Sequence, residues 1–178
     1  MGRCTSFSAA RRAGLLLLIA AVAMSTLGAE ESVASLKERI IDLQNASPLG
    51  FRDLALSSVE PAYGWYVPIA SSSVVEGSVV YLYIEPDNLF TVRENGRYYV
   101  EFVQDLVLVD DAGSVYIDAP NLVEFYHESV SPVVDIYADN RIDLQNLPPG
   151  EYRFIVTLRD RMGGDSVVGE VTLQVTPR

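Results

Sequence analysis

The sequence predicts an all-β domain, a two-sheet antiparallel sandwich of seven to eight short strands. Three observations predict it. From Phe51 onward apolar residues recur with a period of two; turn signals rich in Gly, Pro, Asn and Asp separate the runs; and no segment after Ala46 has helical periodicity. Strands without intervening helices argue against a βαβ arrangement and favour sheet-on-sheet packing, with a small closed barrel as the second architecture.

The chain opens with Arg3, Arg11 and Arg12 and no acid, continues in an apolar run from Ala13 to Met24, and leaves it through the small or polar residues Ser25 to Ala29. These are the three parts of a cleavable secretory signal, and the run is shorter than the ~20 residues that span a bilayer. Residues 1–28 are therefore expected to be removed. Cleavage after Gly28 puts Thr26 at the −3 position, whereas cleavage after Ala29 would put Leu27 there. Cys4 precedes the apolar run, so it is not a lipid-attachment cysteine. The mature chain has 150 residues, no cysteine, and ten Lys and Arg against 24 Asp and Glu, a formal charge of −14. Without a disulfide it must rely on its core, which ~150 residues suffice to build. Its charge opposes nucleic acid and anionic membrane surfaces as partners. The expected location is periplasmic or secreted, with no membrane span after signal cleavage.

Residues 29–50 read as a helical arm and linker. Val33, Leu36, Ile40 and Leu43 form one apolar stripe, and Pro48 and Gly50 end it. The stripe would lay the helix on the domain or join two copies through residues 30–46 as a short coiled coil. Residues 51–178 form the β domain. Leu54 and Leu56 mark a first strand, Phe51 to Ser58. Glu60 to Pro68 contains two prolines, so it belongs at an edge or crosses between sheets. Glu76-Gly77 turns the chain into Ser78 to Glu85, where Val80, Leu82 and Ile84 share one face and Val79, Tyr81 and Tyr83 the other. Glu94-Asn95-Gly96 precedes the longest run, Arg97 to Val109, with Tyr98, Val100, Phe102, Gln104, Leu106 and Leu108 on one side. Asp110 to Gly113 closes a hairpin into Ser114 to Ile117. Further strands are expected over Leu122–His127, Pro132–Tyr137, Glu151–Arg159 and Val167–Val175, the last two joined by a turn at Asp160–Asp165.

Two stretches resemble known modules. Leu147-Pro148-Pro149-Gly150-Glu151-Tyr152, continuing to Asp160, is similar to the closing hairpin of bacterial extracellular immunoglobulin-like domains, where a proline-glycine-aromatic corner starts the penultimate strand and an Asp ends it. Tyr63-Gly64-Trp65-Tyr66, with Gly77 to Glu85 and Asn88, resembles an uncharacterised domain family of exported bacterial proteins. That family pairs a tyrosine-glycine-x-aromatic element with a glycine-led strand ending in tyrosine-x-glutamate. The resemblance covers roughly residues 51–176 and implies an immunoglobulin-like sandwich in the cell envelope. It brings no catalytic residue.

The residues themselves argue against most catalytic chemistries. His127 is the sole histidine, and Ser129 and Ser131 lie too close to it in sequence to form a separate nucleophile element. No cysteine nucleophile remains after cleavage, and no phosphate-cradling glycine motif is present. Asp110 with Asp111, Asp135 with Asp139, and Glu85 with Asp87 could serve a calcium site or a glycosidase pair, but solvated turn carboxylates are the commoner role of such residues. The aromatic group Tyr63, Trp65 and Tyr66 is the candidate binding site. Exposed, its rings would stack on a sugar or grip a peptide; buried, Trp65 would plug one end of the sandwich, the commoner fate of a large aromatic. The expected protein is a non-catalytic binding or structural module whose partner is a protein or glycan of the cell envelope, with no cofactor. A carbohydrate-binding module and a calcium-dependent adhesion module are the alternatives.

Overall fold

The computed structural model describes residues 32–178; the predicted signal peptide, residues 1–28, lies outside the described residues. Ser32 caps helix α1, Val33–Asn45, its Oγ accepting the Ser35 N–H at 3.1 Å. The helix falls where its periodicity predicts, but it presents a different face to the strands. Ile41 is fully buried, while Ile40 and Leu43 remain 45% and 62% exposed and Val33 and Leu36 are exposed likewise. Polar side chains beside Ile41 account for this rotation. Asn45 donates to the Thr91 carbonyl at 2.9 Å and accepts the Thr91 N–H at 2.8 Å, and Gln44 donates to the Leu89 carbonyl. Arg93 pairs with Glu38 at 2.9 Å and also with Asp42. A hydrogen bond from Tyr98, then one from Arg93, holds the Glu38 carboxyl below its ordinary value. Asn45→Ala should cost about 2 kcal/mol, because the backbone N–H and C=O of buried Thr91 lose their side-chain partner together. A urea midpoint that does not move would refute this docking.

Two sheets follow. The smaller has the order β1-β3-β7, with β1 Gly50–Ser57, β3 Val79–Asp87 and β7 Ala138–Asp143, all antiparallel. The larger runs β2-β9-β8-β5-β6, made of β2 Ser73–Val75, β5 Arg97–Asp110, β6 Val115–Ser129, β8 Gly150–Asp160 and β9 Ser166–Thr176. Strand β4, Val92–Glu94, pairs with the first residues of β5, and β2 runs parallel to β9. One sheet curls strongly into a half-barrel. The alternation read from sequence places the core. Val80, Leu82 and Ile84 of β3 and Ile142 of β7 meet Leu106 and Leu108 of β5, Phe154 and Val156 of β8, and Leu173 and Val175 of β9. A second cluster joins Leu89, Val100, Phe102 and Leu158, with Phe125 stacked on Phe102 at 4.9 Å.

The all-β class therefore holds, with nine strands among the described residues where seven to eight were expected. Short β2 and β4 add to the count. The two runs expected at 114–117 and 122–127 are one strand, β6, because a bulge absorbs Pro120 and Asn121. Asp105 on β5 accepts the Asn121 N–H at 2.7 Å and the Arg159 guanidinium at 2.6 Å, replacing the interrupted ladder. The strand expected at Pro132–Tyr137 is instead an extended cover, and the paired strand begins at Ala138. Hydrophobicity misleads there: β7 buries only Ile142, and its ladder with β3 rather than its composition makes it a strand. The segment with two prolines lies along the edge at Ser57↔Pro68, one of the two places expected of it. The chain crosses to the other sheet just after it, through Ser71 and Ser72, both at positive φ.

Candidate functional site

The outer face of β3 carries Tyr83 and Glu85, which alternate with the core residues Leu82 and Ile84. Solvent does not reach them freely. Tyr83 is fully buried and Glu85 is 8% exposed, because residues 58–68 and 132–137 fold over this face. Sequence explains how the first of these segments holds its shape. Ala62 and Trp65 exchange both N–H···O bonds at 2.9 Å, leaving Tyr63-Gly64 as a two-residue turn, and Gly64 takes the φ of +65° that a side chain disfavours. The Gly64 N–H donates to the Tyr83 hydroxyl at 2.8 Å, and that hydroxyl donates to Glu85 Oε1. Burial, reinforced by the Glu85 carboxylate, pushes the Tyr83 hydroxyl up to about 12. The Tyr-Gly-x-aromatic element and the Tyr-x-Glu strand end, far apart in sequence, thus meet through one hydroxyl group.

Four rings line up on this face. Tyr66 packs on Tyr83 with centroids 4.9 Å apart, Tyr83 lies 6.0 Å from Tyr137, and Tyr137 lies 6.1 Å from Tyr63. The Tyr66 hydroxyl donates to Asp53 at 2.8 Å, and that bond leads the causes that raise its pKa. Once Tyr66 turns inward, its neighbour Trp65 must turn outward. Trp65 is 56% exposed and Tyr63 48%. Trp65 is therefore not the plug that burial statistics favour, and its ring stands on a turn fixed from below. An open groove of about 400 Å³ adjoins Tyr66, bounded by Leu54, Pro68 and Ile69 on one side and Val171 of β9 on the other.

No protein-family model and no curated protein matches this chain. Among solved structures it is similar to the Pseudomonas fluorescens alkylpurine DNA glycosylase AlkC bound to DNA containing an abasic site analogue, at 10% identity and a TM-score of 0.43 over 80% of this chain. It is also similar to a family 123 glycoside hydrolase from Clostridium perfringens, at 11% identity and 0.44 over 73%. A Niemann-Pick type C2 protein from the Japanese carpenter ant gives 12% identity and 0.39 over 73% of this chain and 94% of that one. The chain spans 35% and 28% of the length of the first two. At these TM-scores none assigns a family or an activity.

The carboxylates distribute unevenly around the rings. Asp135 pairs with Arg52 at 2.5 Å, and Arg52 also reaches Asp87 at 3.4 Å. Asp139 lies directly across from Tyr83 in the β3–β7 ladder. Burial, and then the charge of Glu60, hold the Asp139 carboxyl above its ordinary value. The other candidate carboxylates have structural roles. Asp110 accepts the Ser114 N–H at 2.8 Å and closes its own turn, while Glu85 bonds Tyr83 and Asp87 bonds Arg52. Among the described residues no three His, Cys, Asp or Glu side chains group as metal ligands. His127 stacks beside Phe125 at 6.2 Å, and Ser129 donates its hydroxyl to the Ser131 carbonyl. Sequence reading located Tyr63, Trp65 and Tyr66 but missed Tyr83, Tyr137, Glu60 and Asp139 as their neighbours. Tyr83 had a signal in the Tyr-x-Glu ending, and Asp139 stood out only as a carboxylate beside Asp135; its place opposite Tyr83 comes from the ladder, and Tyr137 had no signal.

Proposed function

We propose that this chain is an exported, non-catalytic binding module of the cell envelope, built on an immunoglobulin-like sandwich, with Tyr63 and Trp65 as its contact surface and Tyr66 as their support. Export rests on the signal-like residues 1–28. The strand order supports the fold part of the reading: β1-β3-β7 against β2-β9-β8-β5-β6 follows the immunoglobulin order A-B-E against A′-G-F-C-C′. A tyrosine corner adds to it, since the Tyr152 hydroxyl at the start of β8 donates to the Pro148 carbonyl at 2.7 Å.

One observation carries the functional part. A large aromatic ring is held in water on a turn that buried Tyr83 fixes, so the fold forgoes the burial that Trp65 would otherwise supply. Rigid exposed aromatics are the anchors that binding surfaces use, because they bury much area at little conformational cost. Trp65→Ala should accordingly shift Tm by less than about 3 °C, within the range of surface substitutions, while abolishing ligand binding. A loss of about 10 °C would instead assign Trp65 a folding role and sink the proposal.

A further inference from the structure

We propose that the Tyr63–Trp65 surface takes a basic, extended segment of a partner protein, one side chain over the exposed rings and another at Glu60 and Asp139. This rests on the binding-module reading and names its ligand class.

Charge selects the ligand. The cations near this face are engaged: Arg52 lies between Asp135 and Asp87, and Arg141 lies 4.0 Å from Asp143. Among the described residues neither Glu60 nor Asp139 has such a partner, and the charge of Glu60 makes it harder for Asp139 to ionise. An unneutralised pair of carboxylates is a cost in the free protein that an arriving cation relieves. The mature chain's net charge of −14 adds a long-range field that draws cations in. A sugar would use the rings but has no need of the surplus acid.

Ring chemistry fits the same ligand. A lysine or arginine over a Trp or Tyr face gains roughly 0.5–2 kcal/mol from the ring quadrupole. Spacing then favours a chain over a small cation. Tyr63 lies 6.1 Å from half-buried Tyr137, which leads into β7 two residues before exposed Asp139. Side chains on one face of an extended peptide recur about every 6.5–7 Å, so a residue two beyond one seated on Tyr63 reaches along Tyr137 toward Asp139. A calcium ion would need six to eight oxygens from converging groups, which the site does not assemble.

The only tryptophan in the chain is Trp65, so its fluorescence reports this surface alone. The test titrates the protein with a tryptophan-free heptapeptide of alternating lysine and serine, the same peptide with glutamate for lysine, and neutral cello- and chito-oligosaccharides. Expected is a saturable change with the lysine peptide only. It should weaken about 10-fold in the Glu60→Gln/Asp139→Asn double variant and again on raising salt from 0.05 to about 0.5 M. Asp118→Asn on β6 should leave it unchanged. A response to the oligosaccharides without one to the lysine peptide overturns the basic partner but keeps the aromatic surface. An undiminished response in the double variant, or none to the lysine peptide, overturns the inference. If no ligand responds and Trp65→Ala also lowers Tm by about 10 °C, the binding reading fails with it.

Discussion

Replacing Asp160 by alanine should destabilise the fold by about 3–5 kcal/mol, the largest effect expected of any single polar substitution in this chain. Asp160 ends β8, is 4% exposed, and accepts three backbone donors. Its Oδ1 takes the N–H groups of Met162 and Gly163, both at 2.8 Å, and its Oδ2 takes that of Phe90 at 2.6 Å. The first two shape the β8–β9 turn. The third ties that turn to the link between β3 and β4, next to the residues on which α1 docks. Alanine would leave donors without an acceptor where water has little access, so the cost is desolvation as well as lost bonds. At roughly 2–4 °C per kcal/mol for a domain of this size, Tm should fall by about 10 °C. Asp160→Asn keeps an acceptor for Met162 and Gly163 but not a second for Phe90, and should cost about half as much. An alanine variant within about 1 kcal/mol of the parent would mean that water replaces the carboxylate and that the tie is incidental.

Tyr83→Phe should cost about 2–3 kcal/mol and loosen the surface proposed to bind. The ring stays, so its packing on Tyr66 and Tyr137 is retained; only the hydroxyl leaves. Gly64 then loses the acceptor that fixes its turn, and nearly buried Glu85 loses a donor. Time-resolved anisotropy of Trp65 should fall in the variant, and unchanged anisotropy would count against the clamp. The alkaline limb supplies a second readout. The fold raises Tyr83 from an ordinary value of 10.0 to about 12, so it holds this proton more tightly than the unfolded chain does. The resulting stabilisation is fully present below pH 10 and is lost as pH rises toward 12. Tyr83→Phe should remove that slope from the pH dependence of stability. Asp139 also holds its proton more tightly when folded, which makes its contribution greatest below about pH 4 and lost as pH rises through the raised value. Asp139→Asn is therefore expected to preserve or raise stability at neutral pH while weakening cation binding.

How much of this was legible in advance differs from residue to residue. Val80, Leu82 and Ile84 point to the core as their alternation requires, and Asp160 closes the turn that an Asp ahead of Gly163-Gly164 suggests. Tyr63, Trp65 and Tyr66 stood out as a group, but burial statistics chose the wrong fate for Trp65. Hydrophobicity marked 132–137 as the strand, whereas pairing chose 138–143. The helix stripe was visible, yet hydrogen bonds from Gln44 and Asn45 to residues 89–91 turned Ile41 inward instead.

The all-β character, the leading helix and the inward face of each long strand were determined by sequence alone, because residue period and turn chemistry are local properties of the chain. The exposed aromatic surface was decided by tertiary structure alone. Whether a strand's second face meets water or a covering loop depends on segments distant in sequence. Here a single hydroxyl, that of Tyr83, joins two such segments and leaves Trp65 outside.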